Sequence, residues 1–302
     1  MTNSALTDTT PDLPKVRLEM NPHVSSPVVD VGAFSHTGKV RPNNEDNFHV
    51  VQFGRYLRTM RSSLLEGEFS EERDRPGYGY VIADGMGGHA AGEIASRTAI
   101  ALLVEFALQT PDWILGREDA QLARVMERTT ERFRSVHEAV RAEAEDRPTL
   151  QGMGTTLSVA MTIVDELIVA HVGDSPVCLF REQRLNRLTR DHTVAQELVG
   201  INPTVAARFR NILTRSIGSN VISGEPDVAR YRLTDGDRLL LCTDGLTDLV
   251  DDETIARELA RGTSSDEACQ ALVNMALDRG GRDNVTVVIA TYRFSTPGEH
   301  RQ

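Results

Sequence analysis

Apolar positions in this chain fall into two kinds of run. Some are short and nearly continuous: Tyr80-Val81-Ile82-Ala83, Leu239-Leu240-Leu241-Cys242 and Leu167 to Val172. Runs of that length bounded by turn residues read as buried strands. Thr156 to Val164 instead alternates, with Leu157, Val159, Met161 and Ile163 on one face and Ser158, Ala160 and Thr162 on the other. That period predicts a half-buried strand, and the intervening Asp165-Glu166 predicts a hairpin to Leu167. Val28–Phe34, Phe48–Phe53, Val177–Arg181, Arg238–Thr243 and Val285–Tyr292 are further strand candidates.

Helical spacing separates the strand groups. It links Ala91, Ile94, Ala95, Ala99, Leu102, Leu103 and Phe106, and again Leu122, Met126, Phe133, Val136 and Val140. Met126 and Phe133 are core candidates. A third helix is predicted over 265–279, with Ser264 and Glu267 as a capping box and Gly280 as its stop. Strands in groups with long helices between them give an α+β class, mostly antiparallel. Gly54 to Gly77 and Asp191 to Pro226 lie outside this pattern.

Four stretches set an aspartate at the edge of an apolar run: Ala83-Asp84-Gly85-Met86-Gly87-Gly88-His89, Val172-Gly173-Asp174-Ser175, Cys242-Thr243-Asp244-Gly245 and Gly281-Arg282-Asp283-Asn284. Asp-Gly alone is ordinary turn chemistry. Four strand-terminal aspartates are more than turns require, and their convergence would make a hard-cation site for Mg²⁺ or Mn²⁺. A fifth stretch, Arg41-Pro42-Asn43-Asn44-Glu45-Asp46-Asn47, adds paired carboxylates and an arginine.

These stretches occur in order with Ser35-His36-Thr37-Gly38, Gly152-Met153-Gly154-Thr155-Thr156 and Leu213-Thr214-Arg215. The set resembles the PPM family of metal-dependent protein phosphatases, also called type 2C. It covers about residues 28–292, and Met86 after Asp-Gly resembles the bacterial branch. The resemblance implies a four-layer αββα sandwich of two mostly antiparallel sheets flanked by helix pairs, with the metal cluster at one end. It implies a phosphatase domain over 27–294 with a flap at about 191–226, before a tail 295–302; the leader 1–26, rich in Thr, Ser, Pro and Asp, is expected from its composition to be disordered.

It also implies roles. Asp84 would bridge two Mn²⁺ or Mg²⁺ ions, joined by the carbonyl of Gly85 and by Asp244 and Asp283. Glu45 and Asp46 would orient waters around them. Arg41 would clamp the substrate phosphate through a forked contact. Asp174, with Asp244, would hold a weaker third metal. The activity implied is hydrolysis of phosphoserine and phosphothreonine on proteins by metal-activated water, opposing a bacterial Ser/Thr kinase. Two departures stand out. Met86 replaces a histidine that many members use as a proposed acid, and a thioether donates no proton. A metal-held water or His89 would then supply it, or the leaving group departs unaided. Pro176 replaces the usual arginine after Gly-Asp-Ser and removes an amide donor.

Composition narrows the partners. A net charge of −11 excludes a nucleic-acid-binding face. Basic charge is almost all arginine, since Lys15 and Lys39 are the only lysines. Cys178, Cys242 and Cys269 lack metal spacing and read as reduced thiols of a cytoplasmic protein. No membrane span, signal pattern or repeat is evident. The expected partners are phosphorylated proteins, among them a Ser/Thr kinase and its substrates, and the chain is expected to be a monomer. Two alternatives stay open: a catalytically weak pseudophosphatase serving as a binding module, and a phosphatase for an anti-sigma-factor antagonist.

Overall fold

The continuous apolar runs belong to strands covered on both faces. A computed structural model of the chain describes residues 27–54, 76–87, 91–110, 119–198, 207–220 and 222–294. The leader 1–26, the tail 295–302, His89 and nearly all of the polar 54–77 segment lie outside the described residues. In chain order the strands are β1 (Val28–His36), β2 (Asp46–Phe53), β3 (Gly77–Met86), β4 (Gly154–Thr155), β5 (Leu157–Ile163), β6 (Glu166–Val172), β7 (Val177–Arg181), β8 (Arg184–Arg187), β9 (Asp227–Arg232), β10 (Arg238–Cys242) and β11 (Val285–Arg293). The helices are α1 (Ala91–Gln109), α2 (Asp119–Asp146), α3 (Val194–Leu198), α4 (Asp244–Thr247), α5 (Asp252–Leu259) and α6 (Ser265–Asp278).

Two antiparallel sheets stack face to face, in orders β1-β11-β10-β7-β8 and β2-β3-β5-β6-β9, with β4 attached to β3. The core has three layers. Between the sheets lie Tyr80, Ile82, Leu167, Leu239, Leu241 and Tyr292. Under α1 and α2 lie Val81, Ala83, Leu157 and Val172 with Phe133 and Val136. Under α5 and α6 lie Leu240, Cys242, Val285 and Val287 with Leu272 and Val273. Successive residues of β3 and β10 thus point to opposite apolar layers, as the two-residue strand period demands. That is why these runs carry no alternation. The implied αββα sandwich is the architecture found.

Alternation misleads in β5. Its small face, Ser158, Ala160 and Thr162, is fully buried between the sheets, while Val159 and Met161 keep some exposure toward the helices. The hydroxyls tolerate this because they are paired: Ser158 donates to the Ser175 carbonyl at 2.5 Å and contacts His171 Nδ1 at 2.8 Å. The strand is buried on both sides, not half-buried. At α6 the capping box is complete, with Ser264 and Glu267 bonding each other's amides. β9 and α5 are absent from the sequence-based expectations. In β9, Arg230 pairs with Glu166 at 2.7 Å and Arg232 with Asp165 at 3.0 Å, which charges an edge strand and guards it against stray pairing. α5 is short, buries Ile255 and Leu259 one turn apart, and is capped by Asp251, which accepts from Thr254 N at 2.8 Å.

All three cysteines are buried and unpaired, which fits core filler rather than nucleophiles. Among the described residues no helix is long and apolar enough to cross a membrane. His171 in β6 is fully enclosed, and burial pushes its imidazole down to about 3. A histidine held neutral by the fold charges first in the unfolded chain. Stability contributed by His171 is therefore present above about 6.5 and is lost as pH falls toward 3. Melting temperature against pH should flatten over that window in His171→Asn, whatever the absolute loss. An unchanged slope would show that His171 does not carry this dependence.

Candidate active site

Five aspartates from separate segments meet at one end of the two sheets. Asp84 ends the apolar run of β3, and antiparallel pairing sets Asp46 of β2 directly opposite it. Asp174 follows β6, Asp244 opens α4 after β10, and Asp283 precedes β11. Their charges act on one another: the Asp84 carboxyl is raised by burial and then by Asp46, Asp244, Asp174 and Asp283. Burial raises Asp174 as well, with Asp244 the largest neighbouring charge. Asp244 is pushed up to about 6, by burial and then by Asp283.

Asp46 is nearly enclosed. Its Oδ2 accepts from Thr243 at 2.9 Å and Thr286 at 2.8 Å, yet its buried Oδ1 has no partner. Burial pushes this carboxyl up to about 7 against those two hydrogen bonds. Glu45 is raised by burial and lowered by Arg41. Arg41 is exposed and donates through Nη2 to Asp283 Oδ2 at 2.7 Å. It lines a cleft of about 320 Å³ with Asp244, Asp248 and Asp283 and two further arginines, Arg210 and Arg282.

Backbone contacts make this convergence possible. Gly85 N donates to Glu45 O at 3.2 Å, and a Cβ on Gly85 would lie 2.1 Å from Gly92 O. Only glycine lets β3, the start of α1 and the Glu45 loop come this close. The Asp84 amide donates to Thr156 Oγ1 at 2.9 Å, and its carbonyl accepts from Thr156 N at 2.9 Å. The Gly-Asp-Ser loop is pinned without any amide from Pro176: Ser175 Oγ meets Thr156 Oγ1 at 2.7 Å, and the Pro176 carbonyl accepts from Cys242 N at 3.3 Å.

The expected residues Arg41, Glu45, Asp46, Asp84, Gly85, Asp174, Asp244 and Asp283 are thus neighbours in space. Several supporting residues escape sequence reasoning. Asn284 accepts from Glu45 N and donates to Thr37 O and Asn43 O, each at 2.8 Å, which ties the 37–45 loop to β11. It stood inside a matching motif, and an amide beside an aspartate was the available signal. Thr243 and Thr286 gave none, because their shared partner Asp46 is remote in the chain.

Among the described residues no three His, Cys, Asp or Glu side chains form a finished ligand set. The chemistry of the donors nevertheless fits a divalent cation. Buried carboxyls that crowd and raise one another, and an orphaned Asp46 oxygen, are what a group of hard-oxygen donors looks like without its charge partner.

Stacked antiparallel sheets between helix layers, with an acidic cluster open to an arginine-lined cleft, match the four-layer sandwich with a hard-oxygen donor group at one end. The chain belongs to the protein phosphatase 2C family, whose model matches residues 46–285. This is a family of serine/threonine protein phosphatases, hydrolases that use a divalent metal. The chain is 35% identical to the serine/threonine protein phosphatase PstP of Mycobacterium tuberculosis over 269 residues, covering 87% of this chain and 45% of PstP. It therefore spans less than half the length of that relative. It is 30% identical to the serine/threonine phosphatase Stp of Listeria welshimeri, covering 86% of this chain and 95% of Stp. A crystal structure of the PstP catalytic domain in complex with two manganese ions superposes with a TM-score of 0.66 at 34% identity, covering 88% of this chain and 99% of that one.

Proposed function

We propose that this chain hydrolyses phosphoserine and phosphothreonine on proteins with the help of Mn²⁺ or Mg²⁺, and that it opposes a Ser/Thr kinase as a cytoplasmic monomer. The observation that carries this is the meeting of Asp46, Asp84, Asp174, Asp244 and Asp283 within electrostatic reach of one another beside Arg41. Asp84, Asp244, Asp283 and the Gly85 carbonyl are the groups that would hold two cations, with Asp174 and Asp244 holding a third. When bound there, divalent cations supply Lewis acidity to water and offset charge on the phosphoryl group.

The chain's own groups do the rest. Arg41 receives the phosphate, because its donors other than Nη2 have no protein partner among the described residues. Glu45 and Asp46 accept hydrogen bonds from the attacking water, Asp46 through its unpartnered Oδ1. Thr243 and Thr286 hold the other oxygen of Asp46 and so fix which one faces the reaction. No side-chain nucleophile is required.

The deciding experiment is turnover of a phosphothreonine peptide panel with and without Mn²⁺, beside a phosphotyrosine control. Cation-dependent release of phosphate from the phosphothreonine peptides alone is expected. No release at saturating Mn²⁺ would leave the chain a binding module. Arg41→Ala should raise KM for a phosphopeptide about tenfold with a smaller change in kcat, since a contact already made in the ground state is lost. Arg41→Lys should recover only part, because an ammonium cannot make the forked contact. Wild-type KM in both would remove Arg41 from phosphate binding.

A further inference from the structure

Outside the acidic cluster a second polar network joins the flap to the Gly-Asp-Ser loop, and it accounts for Arg215, a motif residue the chemistry above does not use. His192 is at its centre and is buried. The His192 amide donates to Gly173 O at 2.7 Å, and the Gly173 amide donates back to His192 Nδ1 at 3.2 Å. The His192 carbonyl accepts from Thr214 N at 2.8 Å, so the same residue ties the returning arm of the flap. Since Nδ1 accepts, the neutral ring carries its proton on Nε2. Nε2 faces Asp227 Oδ2 at 3.1 Å and, at the longer distance of 3.4 Å, Arg215 Nη1, whose short contact at 2.6 Å is donation to Asp227 Oδ1. Gly173, at φ +112°, sits in a backbone region that only glycine adopts freely, and its next residue is Asp174.

We propose that His192 is a positioning residue for Asp174: Asp227 fixes its Nε2–H tautomer, the free Nδ1 lone pair then holds the Gly173 amide, and this aims Asp174 toward Asp244. Arg215 supports this by fastening Asp227, with its Nη1 also against the ring at Nε2. The inference rests on the role proposed above for Asp174. It makes the flap and the acidic cluster one mechanical unit, because the residue that anchors Thr214 also holds Gly173. Generic packing would not distinguish the two ring nitrogens; this arrangement does.

The test uses the full chain with Mn²⁺ and three substitutions at one position. His192→Asn carries an oxygen close to where Nδ1 lies. His192→Gln carries its amide further out, toward Asp227. His192→Ala carries neither. Hydrogen exchange at the Gly173 amide should rise about tenfold in the Ala and Gln variants and stay near wild type in Asn, and kcat on a phosphothreonine peptide should fall about tenfold in the first two only, the range seen when a group supporting a metal ligand is lost. Peptide KM should not move. Nitrogen chemical shifts of ¹⁵N-histidine-labelled protein should report the single Nε2–H tautomer for His192 in the wild type and a mixture in Asp227→Ala. An Nδ1–H tautomer in the wild type, unchanged Gly173 exchange in His192→Ala, or equal losses in Asn, Gln and Ala would each overturn the proposal. Should His192→Ala fail to fold, the Asn and Gln pair and the tautomer measurement decide alone. Exchange and nitrogen shifts need no turnover, so an inactive wild type would sink the phosphatase reading and still leave the tautomer and the Gly173 clamp open to measurement.

Discussion

Asp84→Asn or Asp244→Asn lowers kcat on a phosphothreonine peptide by at least ~100-fold, because metal-ion catalysis supplies several kcal/mol and each ~1.4 kcal/mol is tenfold in rate. Both side chains sit among other carboxyls that raise them. An amide keeps the shape but cannot bring the negative charge a cation needs. The same crowding gives a second, activity-free expectation. In the metal-free protein the carboxyls are unfavourable when ionised, so their neutral forms are the stable ones. A carboxyl whose folded value is raised contributes stability at low pH and loses it as pH rises through that value, about 6 for Asp244. Asp84→Asn should therefore melt higher than wild type without metal at pH 7.5, and lower than wild type with saturating Mn²⁺, because it gives up stabilisation by the bound ion. Near-normal turnover at saturating Mn²⁺, or an undiminished Mn²⁺-induced rise in melting temperature, would remove these residues from the cation site.

Gly85→Ala should be a severely damaging single-methyl change in the site. The added Cβ would lie 2.1 Å from Gly92 O, 2.4 Å from Gly92 C and 2.8 Å from Glu45 O. All three are backbone atoms, so relief requires moving α1 or the Glu45 loop rather than rotating a side chain. Overpacking of this kind costs about 1–3 kcal/mol or more. The movement also displaces the Gly85 carbonyl, so Mn²⁺ affinity should fall together with stability. Gly152→Ala is the control, since its Cβ would meet nothing within 4 Å, although its φ of +80° carries some strain of its own. Equal melting temperatures and equal Mn²⁺ affinities in Gly85→Ala and Gly152→Ala would show that the close approach at Gly85 is not needed.

The apolar runs before Asp84 and Asp244 already placed two carboxylates at strand ends, because burial on both faces leaves an unbroken run that needs no partner to be seen. The third long helix was legible for the same reason: a capping box and a glycine stop are local. The order of the motifs carried the family, and with it the αββα sandwich. Local signals failed where burial came from elsewhere. The small face of β5 read as exposed and is core, since its hydroxyls find His171 and Ser175 only after the sheets form. β9 is not among the strand candidates, because its alternate arginines answer carboxylates on β6 and α2. The register that sets Asp46 against Asp84, and the two threonines that hold Asp46 from 197 and 240 residues away, exist only in the folded chain. His192 is the clearest case. Beside Asp191 it reads as a polar loop residue, and only tertiary structure brings Gly173, Asp227 and Thr214 to its four hydrogen-bonding points. Periodicity records which face of an element is buried, whereas contacts between remote segments depend on how whole elements pack, and no single stretch of sequence encodes that.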